Sequence, residues 1–475
     1  MHVFRVIVHR ALSTVNRFKE YIPFYKRNLK VAFPVMLTQL GASLVGLIDS
    51  IMVGHYATAD LAAVSFSNAI FFTVMVFSMG AIMGLTPLVG YEVGKRETDE
   101  KTQTGTINFL FRSGVLFTLL LSAGMILVLG VCIPLLDCFG QEEAVITAAR
   151  PYYIMIVVSI VPFLFFCLQK QFLEGLGNTM VAMLITMGMN VLNILLNWVL
   201  IFGHWGFPAM GATGAGIATL ISRTLMPILF YITIRTHKEW RTYLQPTTYN
   251  LSPIKDGLRR LWKIGAPIGS QTMLETFLFT LSFIMVGWLS KEALAAHQIA
   301  NQIADMTFML AIGIGSATTI RVSHQLGKGD FYAVRMASNA SIHLVLVMNS
   351  IGAILMISLR NYIPLLFTND AEVISIASTL VMIAGFFQYA DGLQTVGAAM
   401  LRGITDVKMP MVFAFVSYIA IALPLGLLLM FPCRLGAPGI WLSFIVGLSL
   451  AAILFHTRFR KKLREMERDS SSHRV

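Results

Sequence analysis

This sequence is poor in charge. Only 13% of its 475 residues are Asp, Glu, Lys or Arg, and 56% are hydrophobic. Soluble domains average about 25% charged residues, and the mean hydropathy here is +0.72. That deficit excludes an ordinary soluble chain. Cysteine is scarce too, with four residues. Cys132, Cys138, Cys167 and Cys433 show no metal-ligand spacing, and Cys167 falls inside an apolar run, so no disulfide framework is expected. No GxxxxGK[ST] loop occurs, and "GIGSAT" (313–318) lacks the spacing and strand–helix setting of a phosphate cradle. This argues against ATP-driven chemistry. The start, MHVFRVIVHRALSTVNRFKEY, has no unbroken apolar core, because Arg5, His9 and Arg10 interrupt it. It reads as a basic amphipathic segment on the inner leaflet rather than a secretory signal. No His/Asp metal cluster or activated nucleophile stands out, so neither an enzyme nor a resident cofactor is expected.

What the chain has in abundance is apolar runs long enough to cross a bilayer, about 20 residues each. Twelve are expected, at roughly 31–54, 61–89, 107–133, 151–173, 181–202, 211–234, 262–289, 294–321, 338–363, 373–401, 409–432 and 436–457. The fold class is therefore an all-α polytopic membrane bundle. The net charge of +12 does not call for a nucleic acid, because its distribution is topological. Of 36 Lys and Arg, 31 fall in the tails and on the side of the even-numbered loops, four fall opposite, and Arg223 lies within a span. The positive-inside rule then puts both termini in the cytoplasm.

Comparing residues 30–95 with 263–328 without gaps gives fifteen identities at a shift of 233, among them Pro34/Pro267, Asn68/Asn301 and Gly94-Lys95/Gly327-Lys328. The chain reads as a duplicated six-helix unit. An even number of helices per copy makes the repeats parallel, an arrangement typical of transporters, although channels and membrane enzymes can also be duplicated. The expected organisation is a cytoplasmic tail (1–30), an N-lobe (31–235), a polar basic linker (236–260), a C-lobe (261–457) and a second cytoplasmic tail (458–475).

Four spans carry an acid away from their ends: Asp49, Glu275, Asp305 and Asp391. An ionised Asp at a helix centre costs about 2.5–3.5 kcal/mol, so such a residue normally faces a cavity and is functional by default. A carboxylate in a low-dielectric cavity can bind Na+ or take up a proton, because burial penalises the bare charge; the alternative is a structural acid satisfied by polar neighbours. In the repeat register Ser282 replaces Asp49, and Glu275 lies seven residues earlier, roughly 10.5 Å along the same helix face. "NVLNILLNW" sets Asn190, Asn193 and Asn197 in one stripe, either interhelical glue or oxygen ligands for Asp49. Gly80-x-x-x-Gly84 suits close helix packing. Arg223 is deep enough to need a carboxylate or carbonyl partner, unless a modest shift of the span lets it snorkel. His297 is either a proton shuttle or a hydrogen-bonded packing residue.

Taken in order, Pro34, Asp49, "IMVG" (51–54), "NILLNW" (193–198), "LAAHQIA" (294–300), "GIGSATTIRVSHQLG" (313–327), "DGLQ" and "LRG" (391–394, 401–403) and "GAPGIW" (436–441) resemble the multidrug and toxic compound extrusion transporters, across nearly the whole chain. The resemblance implies a two-lobe antiporter exporting organic, often cationic compounds against Na+ or H+. It implies an N-lobe coupling site at Asp49, Asn193 and Asn197, with helix 1 bending at Pro34. Glu275 and Asp391 match a C-lobe cation site of the NorM-like branch. Na+ could thus bind at Glu275, Asp391 or Asp49. Asp370 matches an acidic position linked to cationic substrates in some relatives. Two departures stand out. Phe387 occupies a position where some relatives have tyrosine, and Asp305 is not part of the pattern.

The expected protein is a monomeric inner-membrane antiporter for small organic molecules, embedded in the bilayer and without a nucleic-acid partner. The alternative is a lipid-linked oligosaccharide flippase of the same broad superfamily. That activity would call for a cationic cavity, whereas the embedded charges here are mainly acidic.

Overall fold

The computed structural model describes residues 2–98, 104–244 and 252–472. Part of the expected linker, 245–251, lies outside the described residues, as do the side chains on which the amphipathic reading of residues 1–18 rests. Every regular element among the described residues is helical. In chain order these are α1 (His2–Tyr56), α2 (Thr58–Ile82), α3 (Leu85–Thr98), α4 (Thr104–Leu135), α5 (Glu143–Val158), α6 (Ile160–Gly175), α7 (Met180–Phe202), α8 (Gly211–Thr236), α9 (Ser252–Gly287), α10 (Lys291–Gly327), α11 (Phe331–Leu359), α12 (Ala371–Gly403), α13 (Lys408–Ala414), α14 (Leu423–Met430) and α15 (Ala437–Ser472). A π-helical stretch, Phe415–Ala422, joins α13 to α14 in one span, Lys408–Met430.

Breaks within spans follow the backbone chemistry. Pro162 has no N–H to offer the Val158 carbonyl, and α5 and α6 meet at Ser159 with a 40° bend. Pro87 removes the corresponding bond where α2 gives way to α3. By contrast α1 continues as helix through Pro34. Helix starts are capped by side chains: Ser290 accepts from the Ala293 N–H and Asp330 from the Ala333 N–H, each satisfying an orphan donor.

Among the described residues, ten helices are long and apolar enough to cross a membrane, or eleven when the bent α5–α6 pair counts as one span. The remaining span of the expected twelve coincides with α9. Its apolar run is diluted by Gln271, Thr272, Glu275, Thr276, Thr280 and Ser282, and it falls short of the others in hydropathy. Helices also outrun their expected spans: α9 begins at Ser252, inside the expected linker, and α15 continues through most of the C-terminal tail.

Packing divides the chain into two compact units. One comprises Met1–Met36, Phe283–Ile404 and Ile421–Val475; the other comprises Leu37–Ser282 and Thr405–Ala420. In the second unit a continuous core runs from Phe71 and Met75 through Leu88 and Phe172 to Phe230. There the glycine pair of α2 meets a second such pair on α9. A Cβ on Gly80 would lie 2.8 Å from the Gly269 Cα, and one on Gly84 would lie 3.1 Å from the Gly265 Cα. In the first unit α10, α12 and α15 pack around the fully buried Trp441, Phe444 and Phe455, and Met36 of α1 closes against Gly313 of α10. Met36 and Gly269 correspond under the 233-residue shift, as do Gly80 and Gly313. The same contact is therefore made once in each unit.

Candidate functional site

In the second unit, α1 and α7 approach closely because Gly41 has no side chain. A Cβ there would lie 2.6 Å from Met187 Sδ and 3.4 Å from Asn190 Nδ2. Two helical turns further along both helices, that register sets Asp49 opposite the end of the asparagine stripe. Asn197 Nδ2 donates to Asp49 Oδ1 at 2.5 Å and also approaches Asn193 Oδ1 at 3.3 Å. Both asparagines are buried and Asp49 is half-buried. Asn197 Oδ1 and Asn190 Nδ2 are buried with no hydrogen-bond partner among the described residues. The three residues Asp49, Asn193 and Asn197 thus form one cluster. It carries a carboxylate and an orphaned amide oxygen, an excess of acceptors that a small cation or a proton would satisfy.

Two further residues join this neighbourhood. The Arg223 guanidinium on α8 donates to Ser159 Oγ at 2.8 Å and lies over the rings of Phe71 (5.1 Å) and Phe163 (4.7 Å). It interacts electrostatically with Asp49 and with the Tyr152 hydroxyl. Tyr152 in turn donates to Asn68 Oδ1 at 3.1 Å. The partner expected for Arg223 is therefore a hydroxyl and two aromatic faces, with the carboxylate acting through space. Sequence reasoning missed Tyr152. Its one available signal was the uncharged aromatic pair Tyr152-Tyr153 in an otherwise aliphatic run.

The remaining candidates distribute as follows. Glu275, half-buried on α9, belongs to the second unit, and Asp391, buried on α12, to the first. Beside Asp391, Asn349 Nδ2 donates to the Gln388 carbonyl at 2.6 Å, and Gly392 leaves room for the Asn349 amide. Asp305 is half-buried on α10. His297 is fully buried. Its Nδ1 accepts the Trp441 indole N–H at 3.0 Å, and its ring meets Phe283 edge-on at 4.6 Å. Phe387 packs edge-on against the same Trp441 at 5.3 Å. The position where some relatives carry tyrosine is thus part of an aromatic cluster. Asp370 is exposed and caps α12, its Oδ1 accepting from the Glu372 and Val373 N–H groups at 2.9 and 3.2 Å.

A duplicated, predominantly apolar helical bundle with a polar cluster among its spans is the architecture of a multi-pass membrane transporter. The family model MatE matches residues 34–199 and 267–428, two segments whose starts differ by the same 233 residues as the internal repeat, and the chain belongs to that family. It is 32% identical over 438 residues to a probable multidrug resistance protein NorM of Xylella fastidiosa, covering 91% of each chain. It is 32% identical over the same length to the multidrug resistance protein NorM of Photobacterium profundum, covering 91% of this chain and 94% of that one. The fold matches the crystal structure of the eukaryotic MATE transporter AtDTX14 with a TM-score of 0.82 at 18% identity, over 94% of this chain and 99% of that one.

Proposed function

We propose that the protein is a secondary active antiporter that exports organic, cationic or amphiphilic compounds in exchange for Na+ or H+. The observation that carries the reading is the Asp49–Asn197–Asn193 cluster, a carboxylate among amides with an acceptor to spare, in a chain of the MatE family. Capture of a cation by Asp49 replaces a charge that is costly to bury with a neutral group. That changes the relative free energies of the inward-open and outward-open states. Glu275 and Asp391 are each a further carboxylate at which the coupling ion acts in this reading. The ion gradient suffices, since one charge crossing 100 mV releases about 2.3 kcal/mol.

In this reading the two six-helix repeats act as lobes, 31–235 and 261–457, joined by the 236–260 connector. A single copy of the chain alternates its opening between the two sides of the plasma membrane, and the 31-to-4 distribution of Lys and Arg supports cytoplasmic termini. Reconstitution into vesicles, with Na+ and pH gradients imposed separately and efflux of a fluorescent organic cation followed, tests it. Efflux should respond to one gradient, rising with outside Na+ or with outside acidification, and should lose that response in Asp49→Asn. Efflux indifferent to both gradients would overturn the proposal.

A further inference from the structure

We propose that a pocket enclosed by α11, α12 and α15 binds a phosphate group, that of an anionic phospholipid headgroup or of a soluble phosphate. The pocket has a volume of about 370 Å³ and lies wholly within the first unit. Three guanidiniums converge on it, Arg335 from α11 and Arg460 and Arg464 from α15. His456, Arg460 and Arg464 follow one another at four-residue spacing, so a single face of α15 presents an imidazole and two arginines.

The local carboxylates neutralise only Arg335 of this cluster. Glu467 is bonded to Arg335 at 2.9 Å, and Glu465 is bonded to Lys462 at 3.2 Å. Among the described residues neither Arg460 nor Arg464 is paired with an acid. Like charges four residues apart on a helix repel, a repulsion that an anion between them would relieve. The planar guanidinium fork matches phosphate oxygens in bidentate fashion. One further group suits the same ligand, the Asn339 amide in the wall. The His456 ring donates through Nδ1 to the Ala452 carbonyl at 2.7 Å, so its buried Nε2 donates to a phosphate oxygen only when the imidazole is protonated.

The location fits a headgroup. The apolar part of α15 ends just before His456, and Phe459 forms an apolar wall of the pocket. An end of the apolar stretch at this point would set the basic groups near the lipid phosphates, where pockets between membrane helices bind anionic headgroups. The site also adjoins the α1–α11 contact. Asn339 Nδ2 donates to the Tyr21 hydroxyl at 3.3 Å, and Asn28 Nδ2 donates to the Ala337 carbonyl and Ser341 Oγ at 3.0 and 2.9 Å. A bound phosphate would tie together three helices, one of which, α11, contacts α1 at Tyr21 and Asn28.

The test uses the full chain in nanodiscs of phosphatidylcholine alone, with a minor fraction of phosphatidylglycerol, or with inorganic phosphate added to the phosphatidylcholine discs. Native mass spectrometry reads retained lipid and thermal unfolding reads protection. Wild-type protein should retain phosphatidylglycerol over phosphatidylcholine by roughly tenfold, about 1.4 kcal/mol. The double variant Arg460→Gln/Arg464→Gln should lose that preference, and Lys461→Gln/Lys462→Gln, which removes equal charge from other faces of α15, should keep it. Protection by phosphatidylglycerol alone identifies the lipid as the source. Equal protection by inorganic phosphate, lost in the arginine variant, identifies a soluble phosphate. Equal retention by wild type and the arginine variant, equal loss in both double variants, or no response to either anion would overturn the proposal.

Discussion

Gly80 of α2 and Gly269 of α9 meet backbone to backbone. A Cβ on the first would lie 2.8 Å from the Cα of the second and 3.0 Å from Thr272 Oγ1. No side-chain rotation relieves such a clash, because the obstructing atom is main chain. Without a hydrophobic force between helices in lipid, close backbone approach is a main source of their cohesion. Gly80→Val or Gly269→Val should therefore cost about 1–3 kcal/mol by overpacking. A lower thermal midpoint in detergent or nanodiscs would show it. Gly124, which has open space around its Cβ position, is the control: Gly124→Ala should leave the midpoint unchanged.

Asn197 holds Asp49 through a single amide hydrogen bond. Asn197→Ala removes a bond to an ionised group, worth about 1.5–3 kcal/mol. The coupling-ion dependence of efflux should shift by at least several-fold while folded protein remains in the membrane. Asn190→Ala, on the same stripe but making no hydrogen bond through Nδ2, should leave that dependence much closer to wild type.

Arg223 is a fixed positive charge, since guanidinium does not deprotonate in proteins. It competes electrostatically with any cation arriving at Asp49. Arg223→Met should lower the coupling-ion concentration for half-maximal efflux several-fold. Arg223→Lys keeps the charge but gives up the planar stacking on Phe71 and Phe163, and should stay nearer wild type in ion dependence while losing stability. Titrating efflux against the coupling ion in both variants separates the two effects.

His297 accepts the Trp441 N–H inside an aromatic cluster. His297→Ala would orphan that buried donor at a cost of about 1–3 kcal/mol. A structural role leaves the pH profile of the surviving transport activity unmoved. A profile displaced along the pH axis would instead mark a proton relay.

Asp370 caps α12 with its carboxylate. Asp370→Ala should destabilise the protein by about 0.5–2 kcal/mol, and Asp370→Asn, which preserves the cap, by much less. Thermal unfolding distinguishes them. If both variants lower transport of cationic compounds equally at unchanged stability, the charge rather than the cap is what the position contributes.

Local chemistry decided much of this molecule before any fold was considered. Hydropathy announces the spans, because every backbone polar group in a bilayer must be satisfied within its own segment and only helices do that alone. The 233-residue echo announces the duplication, and the four isolated acids stand out against uncharged surroundings. Asp49 with Asn193 and Asn197 was legible because helical spacing puts the asparagines on one face and the family pattern names all three. Lateral partnership was not legible. Asp49 and Asn197 are 148 residues apart and Arg223 and Ser159 are 64 apart, and helical periodicity says which face a residue occupies but not which helix lies against it. That choice belongs to tertiary packing. Small residues such as Gly41, Gly80 and Gly269 set how closely and in what register two helices meet, and so which polar atoms come within bonding distance. The stacking of Arg223, the Trp441 bond to His297 and the convergence of three arginines on one pocket all exist only at that level.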